Sequence, residues 1–327
     1  MQELNLIKTV NYISLDEFKN IFINQVQDGI HRIKINENST LDILVENFNK
    51  ISDCNNQLLV FFGGAISGRK NLEPPFFYGR GLSQSFGFPL ISISDPTISM
   101  DKSINIGWFA GNKFINELHM LLSNILDFIA RAFRCDLALI GGSAGGFCAI
   151  AVAEKLRSAC KIFVWNPQTN IANYVGMFVR QYLNVAFDLC LKDELSHIEY
   201  NLLVSHLPIK SKLDANNLNN NVEMIYLQNF SDGHTHKHLA PFIVKSSSFK
   251  MKDGYLKSDY REQYVLIGDW GEGHIQPPRI IIEFVISHII KNTQITQLVT
   301  ELCKLNELNL VNVNTINLEE ISAEYIF

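Results

Sequence analysis

The chain has 327 residues, 47% of them hydrophobic and 19% charged, with a net charge of −5. Such a composition is enough for one large buried core and leaves little room for long disorder. No basic excess points to nucleic acid or an anionic membrane surface as the main partner. No apolar run reaches the roughly 18 residues that a membrane-spanning helix needs.

The six cysteines form no C-x-x-C pair, and several sit in apolar patterns such as Phe147-Cys148-Ala149-Ile150, so they read as buried free thiols of a reducing compartment. Met1-Gln2-Glu3-Leu4-Asn5 lacks the basic and apolar character of a secretory leader. A cytoplasmic location is expected.

In chain order, residues 31–35 and 41–45 alternate like an antiparallel opening pair. Leu58 to Phe62 is a continuous apolar run ending in Gly63-Gly64, as expected of a buried strand feeding a tight loop. Residues 89–94 make the next strand, closed by Asp95-Pro96. Phe114, Ile115, Leu118, Leu121, Leu122, Ile125, Leu126 and Ile129 recur at helical spacing and predict a helix over 112–132.

A short strand over 136–140 runs straight into Gly141, and a helix follows from Gly145 to Arg157. Residues 161–165 form another strand, stopped by Asn166-Pro167. The stretch from Gln168 to Asn221 is too long for a plain loop, and Val175, Phe178, Val179, Tyr182, Leu183, Ala186 and Phe187 are spaced helically. Strands over 222–227 and 263–267 and a helix over 280–290 complete an alternating pattern. That order predicts an α/β fold with a mostly parallel sheet flanked by helices. Residues 295–327 read as a helix plus a short terminal strand, an extension whose role the sequence does not give.

The chemistry centres on Gly141-Gly142-Ser143-Ala144-Gly145. G-x-S-x-G alone is a weak string. Between a buried strand and a helix it becomes a nucleophile elbow, a turn so tight that small neighbours are required on both sides of the serine. A dinucleotide-binding loop would need G-x-G-x-x-G and an acidic residue about 20 positions later, and neither fits.

With this elbow and the loop Phe62-Gly63-Gly64-Ala65, the chain resembles the α/β-hydrolase superfamily over residues 57–291. The resemblance implies one α/β-hydrolase domain with a helical cap inserted at 168–220. It also implies the chain order serine, acid, histidine. Asp232, after the strand that follows the cap, then occupies the acid slot, with Asp269 as its chief rival and Glu272 a weaker one. His274, among glycines after the last strand, occupies the base slot. The N–H groups of Gly64 and Ala144 are the implied oxyanion donors.

Around this frame, His234, His236 and His238 suggest a helix beside the site, with His234 best placed to touch substrate. No metal is expected there, since the cluster lacks the full ligand set of a zinc site. Arg69 and Arg80 are candidates for meeting an anionic group on the substrate. Trp108, Trp165 and above all Trp270 could stack on a sugar ring.

Such a constellation performs acyl transfer through an acyl-serine. The chain is similar to the α/β-hydrolase-like O-acetyltransferases of bacterial capsule and surface-glycan synthesis, which implies acetyl-CoA as donor and a glycan as acceptor. A carboxylesterase or deacetylase, needing no cofactor, shares the same residues. A non-catalytic scaffold member of the fold is the alternative from another class.

Overall fold

Continuous apolar runs form the centre of the sheet because both of its faces are covered. In the computed structural model, residues 7–312 are described, apart from 245, 247 and 253. The elements run β1 Thr9–Tyr12, α1 Leu15–Asn24, β2 Gly29–Asn36, β3 Ser39–Glu46, β4 Gln57–Phe62, α2 Arg80–Phe86, β5 Leu90–Ile93, α3 Leu118–Phe133 and β6 Asp136–Gly142. They continue with α4 Ala144–Ala153, β7 Cys160–Trp165, α5 Gly176–Phe187, α6 His197–Ser205, β8 Val222–Asn229 and α7 Ala240–Val244. The last are β9 Phe249–Lys252, β10 Tyr255–Ser258, β11 Gln263–Gly268, α8 Arg279–Ile290 and α9 Ile295–Leu302.

Among the described residues the strands form one eleven-stranded sheet, ordered β1-β2-β3-β5-β4-β6-β7-β8-β11-β10-β9. The run from β5 through β11 is parallel, while β2, β3 and β10 add antiparallel pairings toward its edges. Side chains alternate strictly between the two cores. Leu58, Val60 and Phe62 of β4 enter one, Leu59 and Phe61 the other. Leu137 and Leu139 of β6 likewise oppose Ala138 and Ile140. α1, α3 and α4 cover the first face, α8 and α9 the second. Each fully buried aliphatic side chain contributes about 1.5–3 kcal/mol to holding these layers together.

One sequence expectation is corrected. The helix expected from 112 starts only at Leu118, because Asn112 Oδ1 accepts from the N–H groups of Phe114 and Ile115 and folds 112–115 into a turn. The first strand, α1, α2 and the β9–β10 hairpin went unread in the sequence.

Within residues 168–220 lie two α-helices, and the spacing of Val175 to Phe187 matches α5. α5 buries Val179, Tyr182, Leu183 and Ala186, and the Tyr182 hydroxyl donates to Gly111 O at 2.9 Å. Of the C-terminal extension, α9 is helical and Leu310 bridges back to Gly268. The expected terminal strand beyond residue 312 lies outside the described residues. No helix among the described residues is long and apolar enough to cross a membrane.

Candidate active site

The order β5-β4-β6 means the chain leaves β4 to one side and returns to build β6 on the other. Ligands of open α/β sheets bind at such a reversal, outside the carboxyl ends of the strands. A cavity of about 520 Å³ lies there, lined by Gly64, Ser143 and His274 together with Phe61, Phe62, Tyr78, Leu82, Trp165 and Tyr174.

Ser143 caps β6 and opens α4 with φ 54° and ψ −122°, a conformation that L-residues avoid. The neighbours explain how it fits. A Cβ on Gly141 would lie 2.4 Å from the carbonyl carbon of Gly145, and one on Gly145 would lie 2.2 Å from Phe62 O. Strand, elbow and loop meet backbone to backbone, so only glycine serves at either point. Ala144 is the first residue of α4, and its N–H has no partner one turn back in the helix. Gly64 sits beside it, its missing Cβ only 3.7 Å from Ser143 Cβ.

Asp232 follows β8. Its backbone N–H donates to Asn229 O at 3.2 Å and its Oδ1 accepts the His234 N–H at 3.0 Å, a local turn that fixes the carboxylate. Its Oδ2 accepts from His274 Nδ1 at 2.6 Å. Burial alone would raise this carboxyl, but the hydrogen bond from His274 and the adjacent His234 outweigh it and hold Asp232 below the usual carboxylate range. Asp269 and Glu272, the rivals, are exposed. Asp269 instead ties its backbone to Asn309, N–H to O at 2.9 Å.

The loop that carries His274 is held by side chains the sequence reading missed. Asn229 Nδ2 donates to Gly271 O at 2.7 Å and Gly273 O at 2.8 Å, and its Oδ1 accepts from Trp270 N at 3.2 Å. Ser231 Oγ donates to Gly271 O at 2.6 Å and accepts from Gly273 N at 3.0 Å. Asn166 Nδ2 donates to Ile275 O at 2.6 Å, and Asn166 Oδ1 accepts from Asn229 N at 2.7 Å. The glycines supply turns, and the polar side chains turn them into a fixed loop.

Among the described residues, the hydrogen bond made by Ser143 Oγ is with Gln168 Nε2 at 2.9 Å, not with His274. Ser143 and His274 share the cavity wall.

The histidine trio opens a π-helical turn over Thr235–Leu239 that leads into α7. The His234 ring lies 4.2 Å from that of His274 and 4.6 Å from that of His238. Its Nδ1 donates to Asn166 O at 2.9 Å. Burial, with His274 beside it, lowers its pKa to about 4, so it is neutral at neutral pH. His238 Nδ1 accepts from Thr169 N at 3.2 Å, and burial keeps this ring neutral too. Asp232, His234 and His274 each bring one possible metal-ligand atom to within 4.8 Å of one another, a different trio from the sequence cluster. Within this trio His274 Nδ1 donates to Asp232 Oδ2.

The two arginines are placed elsewhere. Arg69 is 3% exposed and donates to Leu72 O and, at 3.0 Å, to Ile98 O. Arg80 pairs with Glu46 at 2.9 Å. Neither lines the cavity, because each guanidinium is taken up by a partner within the fold. Trp270 packs over Gly268 and donates to Ile275 O at 3.2 Å, supporting the histidine loop rather than the cavity wall. Trp108 is buried at 1% exposure, so it stacks on no substrate, whereas Trp165 does line the cavity.

No protein-family model matches the chain, and no curated protein matches it in sequence. Among solved structures, it is similar to the capsule O-acetyltransferase of Neisseria meningitidis serogroup A, with a TM-score of 0.53 and 13% identity, over 82% of this chain and 97% of that one. It is similar to an acylaminoacyl peptidase of Pyrococcus horikoshii, with a TM-score of 0.50 and 11% identity, over 86% of this chain. A protein of the Gap123 glycosylation-associated complex of Streptococcus agalactiae matches at TM-score 0.48 and 13% identity, over 83% of this chain. The chain spans 46% of the length of each of the last two, about half of either protein. With its largely parallel sheet and strained strand-to-helix elbow, the chain has the α/β-hydrolase fold.

Proposed function

We propose that the chain is a serine enzyme that transfers an acyl group through an acyl-serine at Ser143, and that it works as an O-acetyltransferase on a bacterial surface glycan. The observation that carries the chemistry is the 2.6 Å bond between Asp232 and His274 beside a serine in a strained elbow. Asp232 holds the proton on His274 Nδ1, which leaves Nε2 as the base. Ser143 Oγ gives its proton to His274 and attacks the acyl carbonyl. Charge collects on the carbonyl oxygen, where the N–H groups of Gly64 and Ala144 meet it. The tetrahedral species collapses, and His274 passes its proton to the departing thiol or alcohol. In the second half an acceptor hydroxyl loses its proton to His274 and attacks the acyl-serine, and Ser143 is restored.

The choice of a glycan acceptor rests on the likeness to the meningococcal capsule O-acetyltransferase, which extends over 97% of that protein. Acetyl-CoA is then the donor substrate. Tyr174, which precedes α5, reaches the cavity wall and gives the 168–220 segment its proposed role as cap. The aromatic walls suit a sugar face against Trp165 or Tyr174.

The test is incubation with labelled acetyl-CoA and a panel of glycan acceptors. Label on a glycan supports the transferase. Label released only as free acetate, whatever the acceptor, makes the chain an esterase. Failure of the folded protein to react with a fluorophosphonate at Ser143 makes it a non-catalytic member of the fold.

A further inference from the structure

A chain of hydrogen bonds reaches Ser143 from beneath the cavity. His119 Nε2 donates to Trp108 O at 3.2 Å, Trp108 Nε1 donates to Gln168 Oε1 at 2.5 Å, and Gln168 Nε2 donates to Ser143 Oγ at 2.9 Å. Gln168 is fully buried. Its amide has one possible orientation, because an indole N–H only donates: Oε1 must face Trp108, so the NH₂ group faces the serine. Its backbone N–H also donates to Ser143 O at 3.3 Å, which clamps the residue to the elbow from both ends. The fold tolerates strain to build this. Trp108 and Phe109 are successive non-glycine residues in the left-handed region, with φ of 54° and 52°. Their turn is held by buried Asp95, whose Oδ2 accepts from Phe109 N at 2.8 Å.

We propose that Gln168 is a catalytic hydrogen-bond donor to Ser143 Oγ, positioned by Trp108, whose main effect is to make Ser143 a better leaving group in the second half of the reaction. The inference rests on the acyl-serine reading. A hydroxyl has one proton and two acceptor sites. Gln168 fills one acceptor site, and the serine's own proton stays available for His274.

In acylation the bond from Oγ to the acyl carbon forms, the Oγ proton moves to His274, and the donor's leaving group departs with that proton. In acylation this N–H starts on a hydroxyl oxygen, already a good acceptor, so it gains little as the bond forms. In deacylation the acceptor oxygen bonds to the acyl carbon and its proton moves to His274. The Oγ–carbon bond then breaks, and its electron pair stays on Oγ, which takes the proton back. The Gln168 N–H faces the charge that collects there. An ester oxygen is a poorer acceptor, so the donor gains more in deacylation, and its effect on the two half-reactions is unequal. General disorder of the elbow would slow both.

Two variants test this with a chromogenic acetyl ester, following the acyl-enzyme by rapid quench and mass measurement. Gln168→Met keeps the length and removes the donor. The expected result is deacylation slowed about 10²-fold, the size of losing one preorganised donor to developing charge. Acylation changes less than tenfold, and the acyl-serine accumulates. Gln168→Glu keeps the acceptor for Trp108 and donates to Oγ only when protonated. Its deacylation rate, relative to wild type, should rise as pH falls.

If Gln168→Met fails to fold, the pH profile of Gln168→Glu decides. Equal slowing of both half-reactions, or a flat ratio with pH, overturns the role of Gln168. A wild-type protein that never acylates at Ser143 overturns the acyl-serine reading instead.

Discussion

Replace Asp232 by asparagine and the side chain keeps its shape, but one oxygen becomes an NH₂ group. Both partners of the native carboxylate are donors: the His234 N–H on Oδ1 at 3.0 Å and the His274 Nδ1–H on Oδ2 at 2.6 Å. The two donors face different oxygens, and an amide puts an oxygen at only one of these positions. The backbone N–H of His234 cannot move its proton, whereas an imidazole can. The NH₂ group therefore turns to His274, whose proton shifts to Nε2, the nitrogen that should be the base. A histidine held in this wrong tautomer lowers kcat by about 10⁴-fold.

The folded state loses one charge-assisted hydrogen bond, worth about 1.5–3 kcal/mol. The assay is steady-state turnover of an activated ester, with a thermal melt to show that Asp232→Asn is folded at the assay temperature. Asp269→Asn is the control and should stay within about twofold of wild type, as expected of a side chain exposed to water. A folded Asp232→Asn protein that keeps more than a tenth of wild-type kcat would refute the assignment of Asp232 as the residue that orients His274.

Other expectations follow from the same contacts. Asn229→Ala removes the three bonds that pin the histidine loop. It should cost about 2–4 kcal/mol in a denaturant melt at about 1 kcal/mol per bond, and about 10²-fold in kcat if His274 drifts by 1 Å. Arg69→Met should lower stability by about 1–3 kcal/mol, since it leaves buried carbonyls without donors, while KM for an anionic substrate stays at the wild-type value. Gly145→Ala drives a Cβ to 2.2 Å from Phe62 O. Overpacking of backbone on backbone should destabilise the fold by about 3 kcal/mol or more, read from its melting temperature.

Asp95 gives a pH test. Burial raises its carboxyl from 3.8 to about 6, against the pull of the Phe109 and Thr97 N–H groups. A carboxyl that binds its proton more tightly when folded favours the fold most below its unfolded pKa, and that contribution is lost as pH rises through about 6. Asp95→Asn should flatten the stability profile over that window by about 3 kcal/mol, from roughly two pKa units. An unchanged profile would show that Asp95 is not the titrating group.

The fold was legible where period and burial agree. β4, β6, β7, β8 and β11 are apolar runs with covered faces, and their sequence limits lie within two residues of the observed ones. The peripheral elements were not: the β9–β10 hairpin is short and mixes polar with apolar residues, while α1 carries a helical signal, Leu15, Phe18 and Phe22 after the Ser14 cap, that lay outside the stretch with a recognisable motif. At the site, local turns and order along the chain pointed to Asp232 beside His274, and to Ser143 and His274 in one cavity wall, and the structure has both. Gln168, Asn166 and Asn229 were not legible, since their partners lie 25 to 109 positions away and amides leave no periodic mark. Asn166-Pro167 was read only as a strand stop, although the asparagine ties β8 to the histidine loop. Arg69 misled for a related reason: basic residues in loops usually face water, and this one is buried against backbone carbonyls.

A covalent acyl-serine at Ser143 can be caught directly. The protein is mixed briefly with an acyl donor, quenched in acid and digested, and the peptides are weighed. One acyl group is expected on the peptide containing Ser143, absent from Ser143→Ala and removed when an acceptor is added before the quench. An acyl adduct on another residue, or undiminished transfer by Ser143→Ala, would contradict an acyl-serine at Ser143.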